Sequence, residues 1–400
     1  MSTAVIATSR AEPHDSGGAS AVLAREPKVP RRFVELDALR GVAAMMVVFY
    51  HFSIFTAANP HGRIMFYLHP VLAGHEAVVL FFLLSGFVLS LSTWKGSTLT
   101  YKDYIVRRVC RIYVPYLAAL ALSVLGCALF WEPAGRGIPV RDGLWEAPPT
   151  LSAIVQHTAF LGVYDGHFNG AFWSLIVEMR VSIIFPFVCW ALFRMRTWVG
   201  LAAALTLSAC AIWISANHPD NTMANWAATV QYLAFFILGA LLARRLSRQP
   251  WPAIPGVLRH AMIPTCVLLF AYASALAKLT PQLPHRASQY LFDWPTGVGA
   301  LGIIYLAATH LTVKRTLGHY IPRYLGHISY SLYLVHDIVL VALMTVLYRR
   351  LSMYAIFFAY LVLALALAAL FNRMVEVPAM NLGRRLTRSK SMPERITAAV

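Results

Sequence analysis

Apolar residues in this chain fall into ten blocks, near residues 36–57, 70–93, 112–131, 171–193, 197–215, 225–243, 259–279, 294–311, 325–347 and 353–371. Each is long enough to cross roughly 30 Å of hydrocarbon. Only helices satisfy their own backbone at that depth, so the pattern predicts an all-α integral membrane protein of about ten transmembrane helices. The polar stretches between the blocks are mostly short. Trp94 to Arg111 is basic and interleaved with aromatics, as expected of a connector lying against anionic headgroups before the chain re-enters the bilayer. The longest outer loop, 132–170, is rich in Pro and Gly and carries Trp145, His157, Tyr164, Asp165, His167 and Asn169. Loops of this length are usually functional. Its aromatic residues suit either interfacial anchoring or stacking on a sugar.

Composition agrees with the pattern: 58% of the 400 residues are hydrophobic and 13% charged, far from the balance of a soluble domain. A net charge of +17 would suggest nucleic acid if the basic residues clustered on one soluble face, but they follow topology instead. Placing the N-terminus in the cytoplasm puts 25 of the 34 Lys and Arg in tails and cytoplasmic loops. Both termini are therefore expected to be cytoplasmic, in a multi-pass protein of the inner (plasma) membrane that does not bind nucleic acid. Arg349 and Arg350 are the one local violation. Residues 1–32 mix Ser, Gly, Pro and both charge signs and read as a disordered cytoplasmic tail. A membrane domain follows at 33–376, then a basic cytoplasmic tail at 377–400. The five cysteines show no metal-type spacing and are expected to be free thiols.

Polar residues inside the blocks carry the candidate chemistry. Arg40 and His51 share the first span; their spacing brings them to within roughly 20° of one face and about 16 Å apart along the axis. An arginine in a span is costly and marks a function. His51 and Glu178, in the fourth span, are expected at a similar depth, and an imidazole and a carboxylate there are natural partners for proton transfer. Arg180, two residues on, points away and serves another helix or the loop side. Arg107, Arg108 and Arg111 stand where the second loop enters the third span. Together with Arg40 they suit an anion site, since guanidinium groups bind phosphates through forked hydrogen bonds. The second span contains Ser85-Gly86, which permits close helix approach or exposure toward a pathway. The ninth places His327, Tyr330, Tyr333 and His336 in a polar stripe, with His336 a lining residue. Glu376 closes the tenth span, where it and Asp37 compete as partners for Arg40.

Taken in order, these motifs resemble the membrane-bound acyltransferase 3 family over nearly all of residues 33–380. The first-helix Arg-to-His spacing is met by Arg40 and His51, SGF by Ser85, Gly86 and Phe87, and RxxR by Arg108 and Arg111. WSLxxE is met by Trp173, Ser174, Leu175 and Glu178, SYxxYLxH by Ser329, Tyr330, Tyr333, Leu334 and His336, and the terminal ExP by Glu376 and Pro378. The resemblance implies a cytoplasmic acyl-CoA donor, most commonly acetyl-CoA, no metal, and transfer to a hydroxyl on the outer side. The acceptor is then a surface or exported glycan such as lipopolysaccharide, or alternatively a macrolide-type small molecule.

On this reading His51 and Glu178 are catalytic, and Arg40, Arg108, Arg111 and Ser85 hold the donor. Trp173, Tyr330, Tyr333 and His336 hold the acceptor. Direct transfer and a covalent acyl-enzyme relay both satisfy these residues. Two departures bear on the acceptor pocket: Val181-Ser182 where Phe-Tyr is common, and Asp337-Ile338 where a proline often follows the histidine. A proton-coupled transporter would also use intramembrane Arg, His and Glu, but the chain lacks the repeated halves that transporters often show.

Overall fold

The computed structural model describes residues 34–56, 67–94, 100–131, 144–159, 168–218, 221–248, 254–274, 276 and 280–387. Tyr164, Asp165, His167 and the tail before Val34 lie outside the described residues. In chain order the helices are α1 (Val34–Thr56), α2 (Gly74–Trp94), α3 (Tyr101–Arg108), α4 (Val114–Phe130), α5 (Leu151–Ala159), α6 (Phe172–Arg194) and α7 (Thr197–Asn217). Then come α8 (Asn221–Arg248), α9 (Gly256–Tyr272), α10 (His285–Thr309), α11 (Leu311–Leu317), α12 (Tyr320–Leu347), α13 (Met353–Phe371) and α14 (Val377–Leu386). Among the described residues no strand occurs, and nine helical stretches are long and apolar enough to cross a membrane. The shorter apolar helix α9 occupies the place of the seventh expected span.

The two largest boundary differences from the sequence reading arise because polar residues continue a helix that hydropathy alone would end. The basic connector before residue 112 is already helical from Tyr101, and a π-helical turn, Val109–Tyr113, fuses α3 to α4 in one span of 30 residues. Thr100 starts it, its Oγ1 accepting the Asp103 N–H at 3.2 Å and donating to the Asp103 carboxylate at 2.9 Å, a local cap for otherwise orphaned backbone donors. Its polar face then docks on α6: the hydroxyls of Tyr101 and Tyr104 donate to the carbonyls of Ile183 and Ser182 at 3.1 and 3.0 Å. At the other end of the chain a second π turn, Asn372–Glu376, carries α13 into α14. The segment expected to open a loose basic tail is thus helical to Leu386.

Small residues decide which helices touch. Without a hydrophobic drive between helices in lipid, close backbone packing becomes the main attraction. A Cβ added to Gly41 of α1 would overlap the backbone at Leu325 and Gly326 of α12, and one added to Gly326 would overlap Asp37. Gly86 of α2 and Gly239 of α8 meet in the same way. The crossings set α12 and α2 against α1, α8 against α2, and α13 against α12. Arg244 of α8 closes the end of α6, donating to the Leu192 and Met195 carbonyls at 2.6 and 3.0 Å, groups that no helix can satisfy internally.

Candidate active site

The α1–α12 contact made at the glycines is made again ten residues further along each helix, at His51 and His336. The two helices therefore run parallel, and their imidazoles meet with His51 Nδ1 2.9 Å from His336 Nε2. His336 is fully buried, and its Nδ1 lies 3.1 Å from the Leu332 carbonyl. A carbonyl only accepts, so His336 Nδ1 carries the proton. In the neutral ring Nε2 is then the acceptor, and His51 must donate to it from Nδ1. The lone pair of His51 is left on Nε2, on the side of Gly170.

Gly170 precedes α6, and a Cβ built on it would lie 3.9 Å from His51 Nε2 and 2.9 Å from Asp337 Oδ2. Asp337, 2% exposed, completes the group: its Oδ1 is 3.7 Å from His51 Nδ1 and 3.5 Å from His336 Nε2. Its Oδ2 is buried with no hydrogen-bond partner. Asn169 fixes this corner, donating to the Leu334 carbonyl at 3.0 Å and accepting the Ala171 N–H at 2.9 Å. The geometry yields a proton acceptor, a relay behind it and a carboxylate beside it, with Gly170 bringing no side chain of its own between them. His51, His336 and Asp337 also present donor atoms within 4.8 Å of one another, a set able to hold a metal ion. A metal held through His51 Nδ1 or His336 Nε2 would displace the relay.

Glu178 is not part of this group. The pairing with His51 expected from depth alone is replaced by a bond to Arg108, whose Nη2 donates to Glu178 Oε1 at 2.9 Å and to Ser182 Oγ at 2.7 Å. The reason is electrostatic: Arg108 is 7% exposed, and a buried guanidinium demands a counter-charge more strongly than a neutral imidazole does. Ser85 Oγ donates to the same Glu178 oxygen at 3.2 Å. The RxxR pair is thus divided, Arg108 turned inward and neutralised while Arg111 stays at the surface with Nη1 3.9 Å from Met380 Sδ. Arg40 lies 3.5 Å from Asp37 and within electrostatic range of Arg108, Arg111 and Glu178. Glu376 accepts hydrogen bonds from Ser331 at 2.6 Å and Asn372 at 2.9 Å.

Of the residues expected to hold acceptor, Tyr333 shares a 2.7 Å hydrogen bond with Ser174 and lies beside His336. Tyr330 donates to the Ile112 carbonyl at 2.9 Å, inside the first π turn. Trp173 packs with Phe82 and Tyr232. Arg180 stacks on Trp226 and donates to Thr229. The sequence reading missed a second polar network joining α2, α7, α8 and α10. In it His75 Nε2 donates to Asp293 at 2.6 Å, Gln231 reaches Asp293 and the Tyr290 carbonyl, and Trp294 and Ser208 complete the chain. An acid and a glutamine within two spans were the available signal.

Comparison with known proteins bears directly on this arrangement. The profile of the acyltransferase 3 family, described as an acyltransferase domain, matches residues 33–373. The chain belongs to that family, and it is a membrane acyltransferase. It is 29% identical over 340 residues to a protein of Streptomyces mycarofaciens named "Acyltransferase MdmB", covering 78% of this chain and 81% of that one. It is also 38% identical over 168 residues to "Protein 2 in picA locus" of Rhizobium radiobacter, covering 39% of this chain and 82% of that one. No solved structure matches the chain.

Proposed function

We propose that this protein is an acyl-CoA-dependent O-acyltransferase of the inner membrane that moves an acyl group, acetyl in the simplest case, to a hydroxyl of a surface or exported glycan. The observation that carries the reading is the tautomer chain Leu332–His336–His51, which leaves a lone pair on His51 Nε2 on the side of Gly170. The acceptor hydroxyl gives its proton to Nε2 as its oxygen attacks the thioester carbonyl. His336 and Asp337 stabilise the imidazolium. The carbon–sulfur bond then breaks, and the imidazolium returns the proton to the departing thiolate, leaving ester and free CoA. Proton transfer of this kind is worth about 10²- to 10⁴-fold in rate. Arg40, Arg111 and their neighbours supply positive charge at the other end of the same helix, where the donor's phosphates enter.

The test is transfer of labelled acetyl from acetyl-CoA to envelope glycan by purified protein in lipid nanodiscs. We expect His51→Ala to remove activity by at least about 100-fold while leaving elution and thermal stability unchanged. Full activity in that variant removes the assignment of the base. Mass spectrometry of surface glycan with and without the gene reports the acceptor. An unchanged glycan together with an acylated small metabolite would transfer the assignment to a macrolide-type acceptor.

A further inference from the structure

The basic end of the molecule holds a feature the transfer step does not use. Helix α14 lies along α3, drawn close because Gly383 sits against Cys110 and Arg107; a Cβ there would come within 2.9 Å of the Cys110 side chain. Arg107 is held by its Nε, which donates to Thr387 Oγ1 at 2.6 Å. Between the helices lies a cavity of about 490 Å³ lined by Arg107, Asn381, Arg384 and Arg385. Three arginines and one asparagine line it, and among the described residues the lining contains no carboxylate. Three like charges brought together on two separate helices form a site for an anion with several oxygens.

We propose that this cavity binds the phosphate groups at the nucleotide end of the acyl-CoA donor. The proposal rests on acyl-CoA being the donor and replaces part of the phosphate site expected from the sequence. Arg108 is not in the lining of this cavity; its buried guanidinium pairs through Nη2 with Glu178 and Ser182. The role passes to Arg107, Arg384 and Arg385, with Arg111 beside them next to Met380. An anionic lipid headgroup offers the same phosphate chemistry, so the experiment separates the two sources.

The double variant Arg384→Gln/Arg385→Gln is assayed in nanodiscs of phosphatidylcholine alone and with phosphatidylglycerol, using acetyl-CoA and S-acetylpantetheine, which lacks the phosphates. We expect the KM for acetyl-CoA to rise about tenfold or more, the loss of one or two charge-assisted hydrogen bonds, with kcat within about twofold. The KM for S-acetylpantetheine stays at the wild-type value in both lipids. Asn381→Asp, which adds a carboxylate and removes no arginine, raises the acetyl-CoA KM in the same selective way. An unchanged acetyl-CoA KM overturns the proposal, as does an equal rise for both donors. A variant that loses only its response to phosphatidylglycerol makes the cavity a lipid site and also overturns it. Calorimetric binding of free coenzyme A gives an independent readout. If the wild type consumes no acyl-CoA yet binds coenzyme A and the double variant does not, the cavity stands while the donor reading falls; if neither binds, the cavity assignment falls too.

Discussion

At the scale of single residues, the chemistry turns on what stands behind His51. The first-span arginine and histidine were visible in the sequence because polar groups in apolar blocks are conspicuous. Their partners were not. Depth along a helix can be counted from a sequence, but the angle at which one helix faces another cannot, so depth alone pairs Glu178 with His51 whereas in the structure Glu178 pairs with Arg108. His336, read as a lining residue, instead sets the tautomer of His51. We expect His336→Leu to lower kcat about 100-fold with the acetyl-CoA KM unchanged. His336→Gln, which keeps an acceptor for His51 Nδ1, restores part of that loss, a rescue that a purely packing role would not show. If the relay and not a metal uses these nitrogens, activity survives prolonged dialysis against EDTA, and added zinc inhibits by occupying His51, His336 and Asp337. Loss of activity on chelation with recovery on metal return would reverse that order.

At the scale of elements, the apolar blocks located the spans to within a few residues except where polarity concealed a helix. Thr100 followed by Asp103 was a readable start signal, yet the basic run after it looked interfacial because its hydrogen bonds to α6 lie beyond the segment itself. The same holds at α14, whose arginines resembled a solvated tail. Neither π turn announces itself in sequence. Each adds a residue to a helix already in place, and such turns often accompany functional sites; here one precedes α4 beside Arg108 and Arg111, and the other contains Glu376. The glycine crossing of α1 and α12 is the element-scale feature most open to test. We expect Gly326→Ala to cost about 1–3 kcal/mol through overpacking, read as a lower melting temperature in nanodiscs. Gly256, with nothing near its missing Cβ, should accept alanine without that loss.

At the scale of the whole molecule, one helix links two environments: a cationic end marked by Arg40 and, about 16 Å further along, the imidazole proposed to take the acceptor's proton. Under the proposed function, a donor rich in phosphate and an acceptor on the opposite side can then meet without either crossing completely. Sealed vesicles of the two orientations test this. Acetyl-CoA is expected to support transfer only when supplied to the face nearer Arg40. Equal transfer from either face would mean that the donor path is not sided.

The glycine contact between α1 and α12 has a wider consequence. Two rods packed side by side, with a bare point at one place and a pair of rings ten residues onward along each, behave like meshed gears. A wedge at the lower contact turns one rod against the other, and the rings lose alignment before the bundle loosens. Damage at that distant spot should therefore silence turnover first and lower thermal resistance second. Revertants restoring turnover should then arise at neighbouring positions that rotate a rod back, with the histidines themselves unaltered.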